Sequence, residues 1–323
     1  MEGDIRQLSM DDIQLIDVSH WRLDEDHPFF PVGARDKRML WSPPEAPASI
    51  KPDWPYLFKS SRKAYPDQYW MEVIAYMVGQ AMGIEVPKAF PAELTENGQK
   101  EPGALLEWFY DPRSEGFIYG RDLFLRINPA FDNDKGTQHN LHELTLLCRA
   151  IAQKIGWEND WKKWLLDMLV FDSLIGNTDR HQENWGVVVL PSSPQSRYLL
   201  SPFFDNGTSL GHERFPERVA GWDEQRIDAY VRKGAHHLRY ERENTKNRVG
   251  HFDSINMSIN DISGAKDSML ERLDFDFDNL TQSIENLCSI QTVVPLTTER
   301  AEWTIKVLRL RHKRLMQIVN CND

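Results

Sequence analysis

Cysteine is scarce in this chain. Cys148, Cys288 and Cys321 are its only three, no two of them form a CxxC pair, and an odd count cannot build a closed disulfide framework. Reduced thiols are therefore expected. No run of about 18 apolar residues occurs, so no membrane-spanning helix is expected. The first residues, Met-Glu-Gly-Asp-Ile-Arg, have neither a basic start nor an apolar core of the kind a secretory leader carries, and a cytoplasmic setting is expected. Excess positive charge is missing too: at a formal net charge of −11 the whole molecule does not attract nucleic acid or an anionic membrane. Several short motifs are absent with their chemistry, namely GxxxxGK[ST], a GxGxxG following a strand, HExxH, and a Ser or Cys in a nucleophile elbow. There is no internal repeat and no low-complexity tract.

What is plentiful is bulky apolar matter. Eleven Trp and fifteen Phe among 41% apolar residues imply a packed globule, and 323 residues suffice for two lobes. The patterning changes character along the chain, which predicts an α+β protein with a β-rich lobe over residues 1–109 and a mainly helical one over 110–323.

In the first part, Ile13 to Val18 alternates as an edge strand would, residues 31–41 read as a turn running into a strand, and Tyr56 to Lys59 reads as another strand. The Gly33 and Ala34 turn would let backbone N–H groups approach phosphates, with Arg35 and Lys37 adding positive charge; it also reads as an ordinary hairpin turn. Residues 65–83 have helical apolar spacing, with Asp67 as the expected cap and Gly83 as the stop. Glu72 falls among that helix's apolar positions. An unpaired buried carboxylate is costly, so a partner is expected, and Lys59 is the candidate. Two strands, near 86–91 and 103–109, surround the turn at residues 96–98. Beyond 140 the spacing predicts helices at 141–155, 160–175, 222–243, 269–290 and 296–319, a hairpin over 185–200, and an irregular connection over 244–268.

The stretch everything else serves is GNTDRHQEN at 176–184, followed after one hairpin by SPFFDN at 201–206. Asp179 and Asn184 are five apart in a loop leaving a helix, and Asp205 returns two strands later. Protein kinases place a catalytic base and hold Mg²⁺ with that order of carboxylate, amide oxygen and second carboxylate. Phosphoryl transfer needs a hard cation on oxygen ligands and an oriented hydroxyl. Asn184 and Asp205 could supply the oxygens, and Asp179 could receive the proton. The same loop also reads as a plain helix-terminal turn; the hairpin and second Asp favour chemistry.

Other polar clusters point less far. His139 and His142, at i, i+3 beside Glu143, could bind a transition metal but lack the HExxH pattern and read as surface in the first instance, as does His236–His237. The run 306–314 is the most basic in the chain; it reads as a solvated helix face, with a nucleic-acid contact as the alternative.

With these pieces placed, the chain resembles the HipA family of bacterial serine/threonine kinases, the toxin kinases of type II toxin–antitoxin systems. VGARDK (32–37) resembles that family's phosphate-loop segment, YLFK (56–59) its nucleotide-lysine strand and MEVIAYMVGQAMGIEVP (71–87) the helix whose glutamate pairs the lysine. LLEWF (105–109) is similar to its hinge, LIGNTDRHQENWGV to its catalytic loop, YLLSPFFD to its metal-binding strand, and ERAEWTIKVLRLRHKRL to its terminal helix. The resemblance implies a two-lobed kinase-like fold and an ATP- and Mg²⁺-dependent transfer to a protein hydroxyl. It further implies Asp179 as base, His181 near the phosphates, Asn184 and Asp205 as Mg²⁺ ligands, and Gly33, Ala34, Arg35, Lys37 and Lys59 at the ATP phosphates. Glu72 would hold Lys59, and the backbone of Glu107 and Phe109 would meet adenine. Implied partners are a protein substrate and a cognate antitoxin, with nucleic acid reached through that antitoxin or the 306–314 helix. Two departures are expected from the resemblance: a likeness to the short HipA-like kinases, which do not carry the extra N-terminal subdomain of the long toxins, and Val32 at the position of a frequently autophosphorylated serine. A lipid or small-molecule kinase with a similar DRHxxN loop, and a non-catalytic docking module, are the rival readings.

Overall fold

The computed structural model describes residues 13–25, 37–132, 136–154, 156–240 and 247–321. In chain order the elements are β1 (Ile16–Asp17), β2 (Arg22–Leu23), β3 (Lys37–Trp41), β4 (Pro55–Ser60), α1 (Tyr69–Met82), β5 (Ala89–Glu96), β6 (Gln99–Glu107), β7 (Gly116–Tyr119), α2 (Gly120–Ile127), α3 (Leu141–Lys154), α4 (Trp161–Ile175), β8 (Gly186–Leu190), β9 (Arg197–Leu200), α5 (Pro216–Val219), α6 (Glu224–Arg232), α7 (His251–Asp261), α8 (Ala265–Leu273), α9 (Phe277–Asn286) and α10 (Thr298–Asn320). The chain forms two compact units. One takes the described residues up to Trp108 together with His212–Ala220 and Asp276–Ile305; the other takes Phe109–Gly211, Gly221–Phe275 and the chain from Lys306. The patterning had suggested one boundary, at 109/110; a break falls at 108/109, and two later segments join the first unit.

The first unit is built on a six-stranded sheet of order β1-β5-β6-β4-β3-β2, in which only β1 and β5 run parallel. Side chains alternate between faces along a strand, and β4 shows the consequence. Tyr56 and Phe58 join Ile16, Leu40, Trp54, Phe90 and Leu105 in an apolar core, which turns Lys59 to the opposite face, where α1 lies. Gly103 faces Ser60 in the β4–β6 ladder, and a Cβ there would sit 2.8 Å from the Lys59 carbonyl oxygen. Only glycine allows the strands to come this close.

Helix α1 is buried on nearly every side and ends at Gly83 in the left-handed region, φ 62°, as expected. Its N-cap is Gln68, without a side-chain cap. Asp67 instead pairs with Arg300 at 2.6 Å. Later chain closes this unit: the Glu93 carboxylate accepts from Thr292 Oγ1 (2.8 Å) and from the Val293 amide (2.9 Å), and the Val294 carbonyl accepts from Tyr69 and Trp70.

In the second unit β7, β8 and β9 form an antiparallel sheet, and α4 is the central helix, buried from Trp164 to Ile175 and packed on α7 and α8. Asp160 caps it through the amides of Lys162 and Lys163, and Gly176 stops it at φ 69°. Asp167 on α4 holds Arg272 on α8 through a forked pair at 2.8 and 3.0 Å.

Several predicted elements need correction. Among the described residues the helix expected over 222–243 is confined to α6, because Gly234 ends the amphipathic spacing. The expected irregular stretch 244–268 contains α7, which buries His251, Ser254 and Ser258 beside Ile255, so its inner face gives little apolar signal. The single helix expected at 269–290 is α8 and α9, broken at Asp274–Asp276, where Asp276 caps α9. β7 and α2 were not foreseen. All three cysteines are free, and no helix among the described residues is long and apolar enough to cross a membrane.

Candidate active site

In the first unit, Lys59 Nζ and Glu72 Oε1 meet at 2.6 Å with side chains 3% and 1% exposed. The expected pair therefore exists. Burying two charges is tolerable when they pair this closely. Lys37 lies directly across from Lys59 in the β3–β4 ladder, so the two lysines share a face. Gly33, Ala34 and Arg35 fall outside the described residues. Glu107 closes β6, and its amide donates to the Lys88 carbonyl at 2.8 Å.

In the second unit, the loop from Gly176 to Asn184 is tied to itself by short bonds. Asp179 N–H donates to Asn177 Oδ1 at 2.9 Å, His181 N–H to the Asp179 carbonyl at 2.8 Å, and Asn184 Nδ2 to the same carbonyl at 2.7 Å. His181 Nδ1 accepts from the Glu183 amide at 3.2 Å, and its ring meets His237 edge-on at 5.7 Å. Phe109 stacks on Phe204 at 5.2 Å, one residue before Asp205. Asp205 itself has φ 59°, a left-handed backbone that a non-glycine residue adopts only when its surroundings hold it there.

The acid group of Asp179 is pushed above the ordinary carboxylate range. Burial is the main cause and the Asp205 carboxylate adds to it, against the pull of His181, Arg248 and Arg180. Asp179 and Asp205 thus sense each other as like charges.

Arg180, which the spacing motif passed over, proved central. It is 1% exposed and its guanidinium reaches both sides of the site: Asp172 twice, the Asn184 carbonyl, the Phe204 carbonyl and the Asn206 side chain. One sequence signal could have found it. Asp172 interrupts the apolar stripe of α4, and a carboxylate so placed demands a cation.

Below this loop lies a set of neutral histidines. His251 donates from Nε2 to the Asn177 carbonyl at 2.8 Å and accepts from Arg311 at Nδ1, so it is uncharged. His236, 1% exposed, contacts Ser173 and Ser254, and burial drives it down to about 3. The surface readings of His236 and His139 are corrected. His139 is wholly buried and accepts from Trp185 Nε1 at 3.2 Å; no cluster of three or more His, Cys, Asp or Glu suited to a metal occurs among the described residues. The basic run 306–314 is largely engaged. Arg311 is buried, His312 bonds the Leu273 carbonyl, and Lys313 and Arg314 pair with Glu224 and Asp228 of α6.

The family model described as the HipA-like C-terminal domain matches residues 31–274. The chain belongs to that HipA-like family. Over 49 residues it is 45% identical to the serine/threonine-protein kinase CtkA of Helicobacter pylori, a stretch spanning 15% of this chain and 14% of that protein. The crystal structure of the H. pylori proinflammatory kinase CtkA matches with a TM-score of 0.73 at 18% identity, covering 95% of this chain and 97% of that one. HipA of Shewanella oneidensis, solved with HipB and operator DNA, matches with a TM-score of 0.51 at 12% identity, covering 90% and 65%. At these identities the structural matches establish the fold, an α+β, two-lobed kinase-like one.

Proposed function

We propose that this HipA-like chain is an ATP- and Mg²⁺-dependent serine/threonine protein kinase. The observation that supports it most lies in the second unit, where the buried Arg180, next to Asp179, bonds the Asn184 carbonyl and the residues on either side of Asp205. Asp179 would take the hydroxyl proton of a protein substrate, a role suited to a carboxyl raised above its usual range. His181 would stand near the transferred phosphate. Lys59, held by Glu72, would contact the ATP phosphates, assisted by Lys37 and by Gly33, Ala34 and Arg35; the Glu107 carbonyl and Phe109 amide would meet adenine.

Mg²⁺ suits the residues present. Asn184 and Asp205 offer hard oxygen donors, and Mg²⁺ takes only one or two protein ligands beside phosphate and water. A divalent cation would also relieve the repulsion between Asp205 and Asp179. When bound it would neutralise charge developing on the phosphates. We further propose a reduced, cytoplasmic setting, consistent with three free cysteines, and a cognate antitoxin as partner, by analogy with the HipA–HipB assembly.

Incubating the purified chain with γ-labelled ATP, Mg²⁺ and a protein extract should place label on serine or threonine, and Asp179→Asn should reduce it by about a thousandfold or more. Label confined to lipid or a small molecule, or no ATP consumption at all, would overturn the proposal.

A further inference from the structure

Resting on the kinase reading above, we propose that Arg180, with Asn206, is a positioning residue that sets the spacing of the two magnesium ligands. A guanidinium carries five N–H donors in a rigid planar fork, and here five acceptors receive them. Nε donates to Asp172 Oδ2 at 3.1 Å, and Nη2 donates to Asp172 Oδ1 at 2.8 Å and Asn206 Oδ1 at 2.7 Å. Nη1 donates to the Asn184 carbonyl at 3.1 Å and to the Phe204 carbonyl.

The choice of acceptors carries the point. One is the backbone of Asn184 itself; two more flank Asp205, the carbonyl before it and the side chain after it. Asp172 is the fixed post, anchored in the buried helix α4. Asn206 completes the bracket by donating Nδ2 to the Phe203 carbonyl at 2.8 Å, so the turn at Asp205 is gripped on both sides while its backbone stays left-handed. Arg180 contacts neither candidate ligand's metal-binding oxygen. It acts through the backbone that presents them. Lysine, a point charge on a flexible stem, cannot hold five divergent acceptors.

The test uses the full chain and its Arg180→Lys and Asn206→Ala variants. Mn²⁺ binding is followed by electron paramagnetic resonance with a non-hydrolysable ATP analogue, and ATP turnover is titrated with Mg²⁺ at saturating ATP. Arg180→Lys should weaken Mn²⁺ and raise the apparent Mg²⁺ requirement about tenfold or more, a shift of the size seen when supporting shells of metal sites are disturbed. Asn206→Ala, which removes one bond of the five, should shift both about threefold, and it carries the test if Arg180→Lys does not fold. In both variants kcat at saturating metal should fall less than the metal requirement rises. Folded variants with wild-type Mn²⁺ affinity and Mg²⁺ dependence would overturn the positioning role. Absence of Mg²⁺-dependent turnover in the unmodified chain would instead sink the kinase reading.

Discussion

Lys59 and Glu72 meet at 2.6 Å with both side chains almost wholly out of water, and the pair separates stability from function. Removing one partner strands the other charge, which typically costs about 3–5 kcal/mol. Glu72→Ala should therefore lower the urea midpoint sharply. Replacing both, as Lys59→Met with Glu72→Leu, should recover most of that stability and none of the ATP turnover. Recovered turnover would show that Lys59 is purely structural.

Asn184 spends its amide nitrogen on the Asp179 carbonyl at 2.7 Å, so in the proposed metal site its ligand atom would be Oδ1. Asn184→Asp keeps an oxygen but loses that donor. Its apparent Mg²⁺ requirement should rise on the order of 10- to 100-fold, and an unchanged titration would remove Asn184 from the metal site.

Gly103 tests the closeness of β4 and β6. A methyl there would lie 2.8 Å from the Lys59 carbonyl and from the Phe58 ring, so strand or ring must shift. Gly103→Ala should cost about 1–3 kcal/mol and weaken ATP binding by displacing Lys59. Calorimetry and nucleotide titration would read the two effects separately.

The buried histidines predict acid lability. His139, His236 and His251 are all depressed below the ordinary imidazole value, with burial as the leading cause. The unfolded chain takes up protons near pH 6.5 while the folded chain refuses them. Their contribution is therefore complete above that pH and is lost as pH falls toward the folded values, at up to about 1.4 kcal/mol per histidine per pH unit. The urea midpoint should drop between pH 7 and 5.5, above the usual carboxylate range, with proton uptake on unfolding. A flat midpoint over that interval would contradict the assignment.

Local patterning exposed some of this site and concealed the rest. Asp179, Asn184 and Asp205 stood out as candidates because their separation along the chain matches the kinase pattern, and the Lys59–Glu72 pair was legible because a lone glutamate on an apolar helix face asks for a cation. The same logic applied to Asp172 would have reached Arg180, but Arg180 is flanked by residues with obvious chemistry and its acceptors at Phe204 and Asn206 are more than twenty positions away. His236 and the inner face of α7 escaped for a related reason: polar side chains that find partners only in the folded state look like surface when read alone. The α8–α9 break was hidden because both helices continue a similar periodicity across Asp274–Asp276.

The bonds from Thr292 and Val293 to Glu93 carry a consequence for synthesis on the ribosome. Glu93 precedes Thr292 by 199 residues, so at roughly 5–20 residues per second β5 waits on the order of 10–40 s for the segment that ties it down. A nascent chain holding Lys59 and Glu72 still lacks the strap across β5. The first unit is thus completed late in translation, after the loop bearing Asp179 has emerged.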